Sequence, residues 1–155
     1  MILRPRQSKG PPRLAQASQG REGDVLAHSL RAFMSRIRDI TRRAKGVSIT
    51  TTMEELVPYM RGWRNYFGFC ETPEVLGSLA GWTRRRLRCA LWRQWRTARR
   101  RRAALIALGV GPVLASNTAA SSQGPWSTSQ NKALHIGLSN AYFRSLGLPT
   151  LVEKS

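Results

Sequence analysis

The chain has 155 residues, of which 41% are hydrophobic, so its length and composition fit one folded domain with a modest core. It carries 26 Lys and Arg residues against 8 Asp and Glu residues, for a formal net charge of +18. This excess predicts a polyanionic partner, with nucleic acid favoured over an anionic membrane surface. No apolar run approaches the roughly 20 residues that span a bilayer and no signal peptide is visible, so we expect a cytoplasmic protein without a membrane partner.

The N-terminal segment, residues 1–23, is basic, rich in Pro and Gly, and without periodicity. We therefore expect a flexible, disordered tail followed by one helical domain over residues 24–152. The first helix is predicted to begin at Asp24, a plausible N-cap, and to end at Gly46, a plausible C-cap. Its apolar positions recur at helical spacing and are Leu26, Leu30, Phe33, Met34, Ile37 and Ile40.

The second helix is predicted to open at Thr51 or Thr52, with Glu54 or Glu55 completing a capping box. Pro58 lies too far inside this segment for the first helical position, so we expect a kink or a later start there.

The run Arg61–Phe67, with the sequence RGWRNYF, lies in this second helix and has an unusual composition. Gly62 costs a helix interior roughly 1 kcal/mol against Ala, which predicts the close approach of another backbone or of a ligand. Trp63 and Phe67 fall on the apolar stripe and are expected in the core. The members assigned to contacts with nucleic acid are Arg61, Arg64, Asn65 and Tyr66.

The longest predicted helix begins with Thr72 as N-cap and Pro73 at N1, and continues to about residue 102. Ten arginines fall between Arg84 and Arg102, and Trp92 is expected on the arginine side, away from the apolar stripe. The alternative is a solvated charged face with the indole packed on arginine stems. Arginines this close together repel one another unless they have an anionic partner. This favours the interpretation in which the guanidinium groups bind phosphates and Trp92 stacks on a base. The residues assigned to these contacts are Arg84, Arg85, Arg86, Arg88, Trp92, Arg93, Arg96 and Arg99.

The C-terminal third predicts shorter elements. Residues Gly109–Gln130 are rich in small residues and predict a loop with at most one short helix, in which Trp126 is an aromatic anchor. A last helix is predicted over Ser129–Ser145, with Gly147 as its stop. No repeat and no strand pattern is visible, so the predicted fold class is all-α, with four or five helices in a bundle-like domain.

The sequence gives little support for catalysis. The acidic residues form no evident constellation with His28 or His135, and P-loop, GxSxG and HExxH motifs are absent. Cys70 and Cys89 are isolated from each other and lack zinc-ligand spacing, so both are expected as reduced, buried or half-buried thiols. We therefore expect no catalytic residue, no metal site and no cofactor.

Three blocks rich in aromatic residues and arginine stand in a fixed order: RGWRNYF at Arg61–Phe67, WTRRRLR at Trp82–Arg88, and LWRQW at Leu91–Trp95. Together with Gly-Pro-Trp at residues 124–126, their order and spacing closely resemble the maturase-specific domain of group II intron reverse transcriptases. The likeness covers roughly residues 28–152.

The resemblance implies a helical RNA-binding module, also called domain X or the thumb region, that helps intron RNA reach its splicing-active fold. The implied partner is group II intron RNA or another structured RNA, and the RNA itself performs the transesterifications. The sequence has no Tyr-x-Asp-Asp-type metal motif and no Cys/His-rich endonuclease region after residue 150, so polymerase and nuclease activities are not implied. The alternatives are a general nucleic-acid-binding module, a thumb fragment that docks on a separately encoded reverse transcriptase, and a decayed remnant.

Overall fold

In the computed structural model, the described residues are 20–43, 46–68 and 73–152, and they form α-helices without strands. The all-α prediction is therefore confirmed, although the helices are more numerous than the four or five predicted. The tail predicted before residue 24 lies outside the described residues over 1–19. The helices are α1 (Gly20–Arg43), α2 (Ile49–Phe67), α3 (Pro73–Gln94), α4 (Ala98–Ala107), α5 (Pro112–Ala119), α6 (Pro125–Thr128), α7 (Lys132–Gly137) and α8 (Asn140–Ser145).

The apolar stripe of α1 packs into the core as its periodicity predicts. The helix begins at Gly20, so the N-cap predicted at Asp24 is wrong, because the chain is already helical there. The stripe positions whose side chains are described, Leu30, Phe33, Met34, Ile37 and Ile40, are all buried.

The start of α2 differs from its prediction. The helix begins at Ile49, because the Oγ of Ser48 accepts a hydrogen bond from the backbone N–H of Thr51 at 3.2 Å and caps the helix there. Thr51 is thus the donor in a cap rather than the N-cap itself. The helix also continues through Pro58 without a later start.

The predicted capping box of α2 is not formed. Glu55 instead pairs with Arg36 of α1, with 2.9 Å between Nη2 and Oε2, so this carboxylate links two helices. The pair is part-exposed and contributes at most about 1 kcal/mol.

The long arginine-rich segment is two helices rather than one. α3 ends at Gln94, and α4 begins at Ala98 after Thr97, whose extended backbone and Oγ1 cap the new helix by accepting from the N–H of Arg100 at 3.2 Å. The prediction of one helix to about residue 102 is therefore wrong.

The C-terminal third is also more divided than predicted. The predicted loop contains the helices α5 and α6, and the predicted last helix is two helices, α7 and α8. The break falls at Leu138, whose φ of −105° and ψ of 60° are not helical, and Ser139 caps α8 through the N–H of Tyr142 at 3.2 Å. Gly147 has a φ of 98°, so this predicted stop is confirmed as a left-handed turn that favours glycine. Gly109, where the predicted loop begins, has a φ of 97° and follows the end of α4 in the same conformation.

Two apolar clusters hold these helices together. The larger cluster joins α1, α2 and most of α3 to the C-terminal segment through residues such as Phe33, Leu56, Leu87 and Phe143. The smaller cluster surrounds Trp92 at the end of α3 and packs it against α4, α5 and α7. α3 is therefore the central helix, with buried residues around most of its circumference.

Candidate nucleic-acid interface

The RGWRNYF run anchors α2 through its aromatic residues. Trp63 is buried, its Nε1 donates to the Oγ of Ser29 at 3.1 Å, and its ring lies 4.7 Å from that of Phe33, centroid to centroid. Phe67 is half-buried and packs beside Trp63 at 5.7 Å. The core prediction for Trp63 is confirmed, and Phe67 lines the edge of the core.

The other members of the run face different surroundings. Arg61, Asn65 and Tyr66 are exposed, and the tyrosine ring is 80% accessible to solvent. Arg64 is instead bound to the protein, because its Nη1 donates to the carbonyl oxygen of Thr150 at 2.9 Å. This contact fixes the C-terminal segment against α2, and it leaves three of the four predicted residues fully on the surface.

Gly62 does not serve a close backbone contact. A β-carbon built on it would meet no atom within 4 Å, so the prediction of a close backbone approach is wrong. Gly62 borders an open groove between α1 and α2, together with Tyr59 and Tyr66.

Trp92 lies inside the protein rather than on an arginine face. Its side chain is 1% exposed and forms the centre of the smaller apolar cluster. Trp95 packs edge-on against it at 6.2 Å, and the guanidinium of Arg101 covers it at 4.5 Å. The predicted orientation of Trp92 is wrong because α4 and α7 fold back over this side of α3, so the indole is not accessible to a base.

Arg85 is buried against the segment that carries Trp126. Its Nε donates to the Oγ of Ser129 at 3.0 Å, its Nη2 donates to the carbonyl oxygen of Trp126 at 2.7 Å, and its guanidinium lies 3.9 Å from that indole ring. Trp126 thus packs against the larger apolar cluster as an aromatic anchor, in the short helix α6 rather than in a loop, and Arg85 is the group that holds it.

Arg88 and Arg86 also bind within the fold. Arg88 is 4% exposed, and its Nε donates to the carbonyl oxygen of Leu138 at 2.8 Å. The half-buried Arg86 donates through Nε and Nη2 to the Oγ1 of Thr41, at 3.1 and 3.0 Å. Arg86 thereby joins α3 to α1. The solvent-facing side predicted for Arg85 and Arg88 is wrong, since both are covered by the C-terminal helices.

The buried guanidinium groups create a positive field inside the domain. Burial is the main reason that the pKa of Arg88 is lowered to about 10, and the nearby charge of Arg84 also lowers it. Partial burial and then the charges of Arg88, Arg84 and Arg85 lower the pKa of His135 below its ordinary value. Burial raises the pKa of the Cys89 thiol, which is free and buried, whereas Cys70 lies outside the described residues.

A second set of arginines lies on the outer surface where α3 ends and α4 begins. We call it the exposed arginine surface. It comprises the exposed residues Arg93, Arg96, Arg99 and Arg100. No acidic residue occupies the first turn of α4. Arg96, Arg99 and Arg100 therefore stand beside the positive end of the dipole of α4, where anions are favoured and cations are not. Arg93 lies in the last turn of α3, at the negative end of that helix, which favours a cation.

Sequence reasoning missed Arg100 and Arg144, which are exposed and were not assigned to any contact. For Arg100 the usable signal was Thr97, a helix N-cap residue three positions earlier. Arg144 has no comparable signal, because its importance depends on which distant residues lie beside it.

No metal or membrane feature accompanies these surfaces. Within residues 20–43, 46–68 and 73–152, no group of three or more His, Cys, Asp or Glu side chains is placed to hold a metal ion. The helices described there are too short or too polar to cross a bilayer. The fold and its charged surface define a basic, arginine-rich, all-α domain.

Comparison with known protein families identifies the family of this domain. Residues 30–106 match the family described as group II intron, maturase-specific domain. The chain thus contains a group II intron maturase-specific domain, which confirms the resemblance over these residues and gives the chain a maturase-related function. The extension of the likeness to residue 152 stays a prediction. Comparison with curated proteins gives no match.

Proposed function

We propose that this chain is an RNA-binding maturase module that helps a group II intron RNA reach its splicing-active fold. The observation that carries the proposal is the exposed arginine surface. Four exposed cations gather there, and three of them, Arg96, Arg99 and Arg100, lie at a helix N-terminus without an acidic residue in its first turn. Such an arrangement disfavours the free domain and favours a bound polyanion. The family match supports a group II intron RNA as the partner.

The surface offers phosphate-binding groups rather than base-reading ones. Guanidinium groups bind phosphate through paired donors, and each contact releases condensed counterions from the RNA. On the outer side of α2, Arg61 adds a cation, while Asn65 and the exposed ring of Tyr66 add a hydrogen-bonding group and a stacking surface. We place the RNA contacts of the chain on these exposed residues, and no longer on Arg85, Arg88 or Trp92.

A salt titration of RNA binding tests the phosphate contacts. The wild-type chain should bind a group II intron RNA with an affinity that falls steeply as salt rises. Each phosphate that the protein neutralises contributes about 1 to the slope of log affinity against log salt. R96Q/R99Q removes contacts to two separate phosphates and should therefore lower that slope by about 2.

The matched control is R31Q/R42Q, which removes two exposed cations from α1. This pair should leave the slope nearly unchanged. Equal losses from both pairs would mean that overall charge, and not this surface, binds RNA. Competition by duplex DNA of equal length distinguishes an intron-specific maturase module from a general nucleic-acid-binding module. Duplex DNA and intron RNA would compete equally for a general nucleic-acid-binding module.

A further inference from the structure

A pocket away from the exposed arginine surface lies between α3, α8 and the C-terminal segment, residues 148–152. Its volume is about 220 Å³, which is smaller than the roughly 300–1,000 Å³ of typical small-molecule sites. Gly77, Ala80 and Pro149 give it small or apolar walls. Its polar lining is Arg84, Asn140, Arg144 and Thr150.

Two of these polar residues are cations without an acceptor. Arg84 is half-buried and Arg144 is exposed, and neither side chain makes a hydrogen bond or ion pair within the part of the chain that the structure describes. Burial lowers the pKa of Arg84, so its charge is held at a cost in free energy. The neighbouring Arg85, Arg86 and Arg88 differ, because each donates to an oxygen atom of the protein.

The walls of the pocket are fixed by contacts that do not involve these two cations. Arg64 donates to the carbonyl oxygen of Thr150, and Leu151 is 2% exposed, so the C-terminal segment is held at both points. Arg88 donates to the Oδ1 of Asn140 at 3.3 Å. That bond occupies the amide oxygen of Asn140 and leaves its NH₂ group as a donor for a ligand.

We propose that this pocket binds one phosphate group of an RNA backbone, with the guanidinium groups of Arg84 and Arg144 as its main donors. The pocket size suits a single phosphate rather than a whole small-molecule ligand. Among the residues that the structure describes, the lining contains cations and an amide but no carboxylate. Apolar walls strengthen such a charge-assisted contact by excluding water. The choice of RNA as the molecule that carries the phosphate rests on the proposed function.

A titration with inorganic phosphate at constant ionic strength tests the pocket directly. The Nε–H signals of Arg84 and Arg144 in the ¹⁵N NMR spectrum should shift together and saturate, whereas that of the exposed Arg61 should not. R144Q, a change on the surface, should weaken the response of Arg84 at least about tenfold, the loss expected for one charge-assisted hydrogen bond. Shifts of Arg84 that fail to saturate would overturn the proposal.

A steric variant keeps every charge in place. A β-carbon on Gly77 meets no atom within 4 Å, so G77L should fold and fill the pocket wall. The matched control is G62L, since Gly62 is also in a helix and also has open space. G77L should weaken phosphate binding about tenfold or more, as loss of one charged contact would, while G62L should not. Equal phosphate affinity in both variants would contradict the pocket.

RNA binding separates this inference from the proposed function. R84Q/R144Q should lower the salt slope of RNA binding by about 1, the value for one phosphate. If the wild-type chain bound phosphate in the pocket but not RNA, the proposed function would fail, and the RNA assignment of the pocket with it. If RNA bound with the same slope to R84Q/R144Q, the pocket would lose its role and the proposed function would stand.

Discussion

The arginines of α3 differ in the groups that they contact. Arg85 and Arg88 are buried and donate to the carbonyl oxygens of Trp126 and Leu138, whereas Arg93, one turn further on, is exposed. Leu138 is the C-cap of α7, where carbonyl groups lack helical partners and the helix dipole is negative. A cation without a carboxylate partner is stabilised there because it meets the end of a helix.

Replacing Arg88 with Ala should therefore destabilise the domain by about 2–3 kcal/mol, because it leaves a buried carbonyl group without its donor and opens space in the core. The measurement is the free energy of unfolding in urea. The matched control is R93A, which removes an exposed arginine from the same helix and should change stability by less than about 0.5 kcal/mol. Equal stability of R88A and the wild type would contradict this role.

The sequence could predict that α3 is rich in arginine, but not which arginines are covered. Arg85 and Arg88 bond to residues 44 and 50 positions away in the chain, and that pairing is set by how the C-terminal helices pack. Helical periodicity describes one element at a time and carries no information on a second element that covers its other side. For the same reason, the sequence could not predict that Trp92 is buried.

Helix starts were partly readable from the sequence. A hydroxyl side chain caps α2, α4 and α8, through Ser48, Thr97 and Ser139, each by accepting a backbone N–H three residues later. Each cap is a local signal that the sequence prediction missed. The prediction placed the start of α2 at Thr51 or Thr52, and it continued single helices through Thr97 and Ser139. The apolar stripe of α1 and the core position of Trp63 were predicted correctly, because both follow from spacing along one helix.

Gly62 provides a test at the scale of a single helix. It is exposed in the middle of α2, and a β-carbon there meets no atom within 4 Å. G62A should raise the free energy of unfolding by about 0.5–1 kcal/mol, since Ala loses less backbone entropy than Gly in a helix. The measurement is again urea unfolding.

The matched control is G137A in α7. A β-carbon on Gly137 would lie 3.2 Å from the Cγ2 of Val110 and 3.3 Å from the Cβ of Leu108, and the second atom moves only with its backbone. G137A should therefore lower stability by about 1 kcal/mol through overpacking. A stabilising G137A, or a destabilising G62A, would show that the space around these glycines is not as described.

Across the whole molecule, positive charge is separated into two roles. Buried and half-buried arginines link α3 to α6, to the end of α7 and to α1, and exposed arginines gather where α3 ends and α4 begins. The net charge of +18 predicts a polyanionic partner, but it does not distinguish the buried arginines from the exposed ones. The structure narrows the proposed contacts to side chains that reach solvent, and it adds Arg100 and Arg144 to them.

The central claim is that the exposed arginines make this chain a splicing cofactor for a group II intron. Its most direct test is the splicing rate of such an intron RNA at a magnesium concentration too low for efficient self-splicing. The wild-type chain should accelerate splicing, and R93Q/R96Q/R99Q/R100Q should lose most of that acceleration while unfolding at the same urea concentration. No acceleration by the wild type, or full acceleration by the variant, would contradict the account.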